Sequence, residues 1–131
     1  MDALEIRERQ KYERLWEMFR DEEKNYPSDF LTPIFLNYFQ NVISPNDCVI
    51  DFGCGGGSAR HLLKAGLNVK LIDFSANCLH TDVFLLCCHP EKKVEFLQEC
   101  LWNLPESLKG AEWILCFDLL EHIQLRTGEP I

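Results

Sequence analysis

The sequence has no long apolar run. Stretches such as "WILCF" at 113–117 fall far short of the ~20 residues that a membrane-spanning helix needs, so no membrane partner is expected. The opening "MDALEIRERQK" is charged where a secretory leader would be apolar. A basic excess is also missing. Lys and Arg number 13 against 21 Asp and Glu, a net charge of −8, and the basic residues of the first segment are scattered among acids. This argues against a nucleic-acid partner met through its phosphates. Paired cysteine spacing is missing too. The seven cysteines, Cys48, Cys54, Cys78, Cys87, Cys88, Cys100 and Cys116, include no CxxC. A zinc set could be drawn from Cys78, His80, Cys87, Cys88 and His89, but it lacks the ligand spacing that identifies such sites. Most of these cysteines sit in apolar runs, where Cys acts as a small buried hydrophobe. No metal site is expected, and reduced thiols suit a cytoplasmic location.

What is present is ordinary globular material: 131 residues, 47% hydrophobic and 26% charged, enough for a single core. Residues 1–25 place Leu4, Tyr12, Leu15, Trp16 and Phe19 at spacings of three and four, with charges between them. That is the pattern of an amphipathic helix laid on the domain; an alternative has Tyr12 and Trp16 covering a ligand. Thr32 before Pro33 predicts a second helix start, with threonine as cap and proline in the first helical position. Residues 1–46 thus form an N-terminal helical segment. From residue 47 apolar runs alternate with helical patterns. Strands are expected at "CVIDF", "VKLIDF", "KVEFLQ" and "EWILCF". One helix is expected over "SARHLLK", stopped by Gly66, and another through Leu79, Val83 and Leu86 to Pro90. "CLWNLPESLKG" reads as a loop with one helical turn. Such alternation predicts βαβ units in a doubly wound α/β fold with a parallel sheet. Strand four comes last, so the domain is expected to be partial, with its strand-four edge open to a partner or to self-association.

The first strand-to-helix turn is "DFGCGGGS", residues 51–58. In an open parallel sheet, ligands bind beyond the carboxyl ends of the strands, and glycine lets the backbone turn sharply and a ligand come close. The dinucleotide pattern GxGxxG is only partly met, because Ser58 takes the sixth place after Gly53 and Gly55. Two phosphates beside a buried Asp51 would also be unfavourable. A cationic guest fits better. The ammonium and sulfonium groups of S-adenosylmethionine would give Asp51 an opposite charge, while the ligand carboxylate meets backbone N–H groups of the turn. Asp73, about 20 residues further on, either takes ribose hydroxyls or caps the next helix. Phe74 lies beside an adenine face or in the core.

These stretches resemble a family. "VIDFGCGGG" is similar to motif I of class I S-adenosylmethionine-dependent methyltransferases, "VKLIDFSANCL" to their second motif, "VEFLQECLWNLP" to their third-strand segment and "EWILCFDLLEHI" to their fourth. The four occur in the family's order between Cys48 and Ile123. "EIRERQKYERLWE" with "LWNLP" is similar to bacterial and phage-encoded members. The resemblance implies a Rossmann-like sheet in the order 3-2-1-4, with residues 47–131 as a partial methyltransferase domain. It implies that Asp51, Gly53, Cys54, Gly55 and Gly57 surround the methionine part of the cofactor, and that Asp73 holds the ribose with Phe74 by the base. Glu99, Cys100 and Leu101 would line the adenine edge, and Cys116, Phe117 and Asp118 would close the site near the methyl group. The chain departs from the pattern at Cys100, where the family offers an aspartate. It also supplies four strands where the family has seven.

Methyl transfer from a sulfonium needs donor and acceptor aligned with water excluded, and the sequence offers no dedicated nucleophile. His122 is the one candidate general base; otherwise Asp118 caps a helix whose first turn holds Glu121 and His122. The expected activity is methyl transfer to an unidentified small molecule or protein. The alternatives are a non-catalytic remnant that binds S-adenosylmethionine and an NAD(P)-binding oxidoreductase domain.

Overall fold

A computed structural model describes residues 3–19, 27–54, 58–99, 104 and 106–117. Its helices are α1 (Ala3–Phe19), α2 (Pro27–Tyr38), α3 (Ser58–Lys64) and α4 (Thr81–Cys87). Its strands are β1 (Cys48–Phe52), β2 (Asn68–Asp73), β3 (Val94–Gln98) and β4 (Trp113–Leu115), with short 3₁₀ turns at Ala76–Cys78 and Glu106–Leu108. All strand pairs are parallel, and the sheet runs β3-β2-β1-β4. This is a partial Rossmann-like α/β fold, in the strand order expected. β4 stands at one end of the sheet.

The core follows from the pleat, which sends alternate side chains to opposite faces. One face carries Val49, Val69, Leu71, Val94 and Leu115, packed under Ala59 and Leu62 of α3, Val83 of α4 and Phe35 of α2. The other carries Ile50, Phe52 and Ile72, met by Leu108 from the second 3₁₀ turn. β1 and β2 are thus covered on both faces, which is why they read as nearly unbroken apolar runs. Phe35 brings α2 into the same core as the sheet. Around it, Phe35 and Phe39 each lie within 5.4 Å of the Trp113 ring, and the Trp113 indole donates to Asp47 at 3.0 Å. Asp29 of α2 meets His61 of α3 at 3.1 Å, fixing one helix on the other.

α3 ends as expected at Gly66, whose φ is +84°. The Gly66 amide donates to the Leu63 carbonyl and the Leu67 amide to that of Leu62, the paired pattern of a Schellman motif. Leu62 and Leu67, both fully buried, supply its apolar contact. Among the described residues no helix is long and apolar enough to cross a membrane.

The N-terminal helices differ from expectation in two ways. α2 begins at Pro27, and Pro33 lies inside it. Both prolines satisfy the rule for a first helical position, and the earlier one starts the helix. Pro33 has no backbone N–H to give to the preceding turn, and Thr32, expected as a cap, is fully buried within the helix. In α1, Leu4 and Leu15 are exposed, while Trp16 packs against the core and Tyr12 against Phe74. The helix therefore docks on a narrower stripe than its apolar pattern suggests. β4 and α4 are also shorter than expected, with Cys116 exposed beyond β4. The helix expected over "DLLEHIQ" lies outside the described residues.

Candidate functional site

Asp51 and Asp73 define the site. Asp51 lies on β1, in the middle of the sheet, paired in register with Leu71 of β2 and Leu115 of β4. Asp73 ends β2, two residues past Leu71. The alternation of the pleat therefore puts both carboxylates on the face that carries α3 and α4, at the carboxyl ends of neighbouring strands. β1 has β2 on one side and β4 on the other, so the strand order switches direction at β1, and open α/β folds take ligands beyond the strand exits at such a point.

Asp51 is 2% exposed. Its Oδ2 accepts a hydrogen bond from the hydroxyl of Ser58, the first residue of α3, which is itself buried. Burial pushes the Asp51 carboxyl up from 3.8 to about 7; the Ser58 hydroxyl holds it back, and the charge of Asp73 adds to the rise. Near neutral pH this carboxyl is therefore poised between its two forms, and an arriving cation favours the ionised one. Asp73 accepts the Ser75 amide on Oδ1 at 3.0 Å, a local turn bond. The cap position before α4 belongs to His80, so the alternative reading of Asp73 as that helix's cap does not hold.

The turn between these carboxylates is drawn over β2 by two bonds to one carbonyl: the Gly53 and Cys54 amides both donate to Ile72, at 2.8 and 3.3 Å. Gly53 has φ +64°, a conformation that favours glycine. Cys54 is buried beneath the turn. Gly55 and Gly57 lie outside the described residues, as do Cys100, Leu101, Asp118, Glu121 and His122. Glu99, one residue before that gap, donates its amide to the Asp73 carbonyl at 3.2 Å. Phe117 packs against the core cluster beside β4.

No model of a known protein family matches the chain, and no curated protein matches it in sequence.

The geometry of the site adds residues which sequence reasoning missed. In the sequence Ser58 stands where the dinucleotide pattern has a glycine, and in the structure it is the donor to Asp51. Phe74 meets the Tyr12 ring, with centroids 5.5 Å apart and planes at 57°. The Asn77 side-chain amide donates to the Glu13 carbonyl at 2.7 Å. α1 therefore sits directly beyond the exit of β2, the placement that a cover for the crevice requires. Ser75 Oγ and Asn77 Oδ1 are buried and have no hydrogen-bond partner among the described residues. Such atoms are ordinarily satisfied by water or a ligand. Finally, Cys54, Asp73 and Cys78 converge: their ligand atoms lie within 4.8 Å of one another.

Proposed function

We propose that this chain binds S-adenosylmethionine and forms the cofactor-binding part of a methyltransferase. The observation that carries the reading is the placement of two buried carboxylates, Asp51 and Asp73, at adjacent strand exits on one face of the sheet. Asp51, whose carboxyl burial raises to about 7, ionises more readily when a cation lies beside it. S-adenosylmethionine brings an ammonium and a sulfonium and no phosphate. A nicotinamide dinucleotide brings two phosphates to the same carboxylates.

In this reading Asp51 faces the cationic methionine end, and Ser58 keeps its carboxylate oriented. Asp73 takes the ribose hydroxyls, and Phe74 lies by the base with Tyr12 behind it. The protein's contribution to chemistry is then alignment and exclusion of water, to which α1 adds a wall. The acceptor is a small molecule or protein, a class favoured by the net charge of −8.

Calorimetric titration of the chain, kept in chelator, tests the reading. S-adenosylmethionine and its demethylated product are expected to bind, and NAD and NADP are not. Asp73→Asn should weaken both adenosyl ligands alike, by about tenfold or more, the loss of a charged hydrogen bond. Preference for a dinucleotide, or adenosyl binding indifferent to both carboxylates, would overturn the proposal.

A further inference from the structure

Cys54 and Cys78 occupy the two connections that flank the crevice, 24 positions apart in the chain, and Asp73 lies between them. We propose that Cys54, Cys78 and Asp73 form a binding site for a thiophilic divalent cation, zinc by the chemistry of its donors. This reading goes beyond cofactor binding and stands or falls independently of it, although the two guests would share Asp73.

Three observations carry it. The first is distance. One atom from each residue lies within 4.8 Å of the other two. Zinc–sulfur bonds of ~2.3 Å and zinc–oxygen bonds of ~2.1 Å place donors about 3.5 Å apart in a tetrahedron, so small side-chain rotations bring all three onto one ion.

The second is burial with a fixed frame. Cys78 is 0%, Cys54 3% and Asp73 9% exposed. The backbone beneath them is held by the Cys54 amide on Ile72, the Cys78 amide on the Ser75 carbonyl at 3.4 Å and the Ser75 amide on Asp73. The donors therefore need little reorganisation, unlike sites assembled from mobile chain.

The third is charge. Asp73 and Asp51, two acids, act electrostatically on both thiols, and a cation among them offsets that negative charge. Two thiolates are soft donors that select zinc over calcium or magnesium, and zinc also accepts a carboxylate oxygen. Ser75, whose amide donates to Asp73, keeps a buried Oγ with no hydrogen-bond partner among the described residues. Three protein donors leave a fourth position for water. The two thiols give up their protons to solvent on binding, and no oxidation or reduction is involved.

The test uses the full chain, reduced with a phosphine, stripped by chelator and free of adenosyl ligand. Cadmium is added while the thiolate-to-metal charge-transfer absorbance is followed, and zinc is measured in competition with a chromophoric chelator. One equivalent of each is expected. Cys54→Ala and Cys78→Ala should each weaken zinc at least tenfold, Asp73→Asn should weaken it while keeping the thiolate band, and Cys88→Ala, a change at an exposed thiol, should leave it unchanged. X-ray absorption of the zinc-loaded wild type needs no variant to fold, and two sulfur donors with oxygen completing the shell are expected. A shell without sulfur, or affinity unmoved by Cys54→Ala and Cys78→Ala, would refute the site.

Discussion

Asp51→Asn separates the electrostatic role of this residue from its shape. Asparagine keeps an oxygen that can accept from Ser58 but cannot ionise. In the free protein the carboxyl sits near 7; a cation a few ångströms away lowers such a group by about two units. The ionised form then binds the cation about 100-fold more tightly than the protonated form, or about 2.7 kcal/mol. For the wild type, affinity for S-adenosylmethionine should be level above about pH 8 and drop about tenfold by about pH 6, as more of the protein must first lose a proton. Asp51→Asn should bind about 100-fold more weakly at about pH 8, with no such slope. Stability should move the other way. Between about pH 4 and about pH 7 the unfolded chain is ionised at this residue while the folded chain keeps its proton. The fold therefore loses about 1.4 kcal/mol per pH unit, and the loss levels off above the folded value. The variant escapes that loss and should melt at a higher temperature than the wild type at about pH 8. Calorimetry and thermal melts across this range read both quantities. Wild-type affinity flat with pH, together with a variant less stable at about pH 8, would refute the reasoning.

Other expectations concern the frame. Gly66→Ala puts the added carbon in ordinary van der Waals contact, 4.0 Å from Pro45 Cβ, so its cost should be the left-handed backbone alone, about 1–2 kcal/mol by urea denaturation. Leu62→Ala, in the centre of the α3 face, should cost about 2–5 kcal/mol in the same assay. Asn77→Ala removes the bond to Glu13 and should speed hydrogen exchange in α1 about fivefold, a loss of about 1 kcal/mol, while leaving β1 and β2 unchanged.

The sheet was legible because its two inner strands are buried on both sides, so "CVIDF" and "VKLID" stand out as apolar runs. The Gly66 stop was legible for the same kind of reason: only one residue there accepts a left-handed backbone without strain. Pro27 and Pro33 obey one rule equally well, and local chemistry cannot choose between them; Phe35 reaching the core and Asp29 reaching His61 are long-range facts. In α1 the apolar spacing named Leu4 and Leu15 together with Tyr12 and Trp16, but which flank docks depends on where the 3₁₀ turn at Ala76–Cys78 stands. Asp51 and Asp73 could be singled out because acids at strand ends are unusual. Ser58 could not be paired with Asp51, nor Cys54 with Cys78, because those contacts arise only when neighbouring strands fix the relative height of their connections.

The grip of Asn77 on α1 ends on a main-chain oxygen. Every amino acid owns that oxygen, so evolution is free to exchange Glu13 without touching the clasp, while the asparagine has few substitutes. A survey of sequence drift in relatives would then find one constant position opposite a wandering one. Covariation methods, which look for partners that change together, would pass over this attachment.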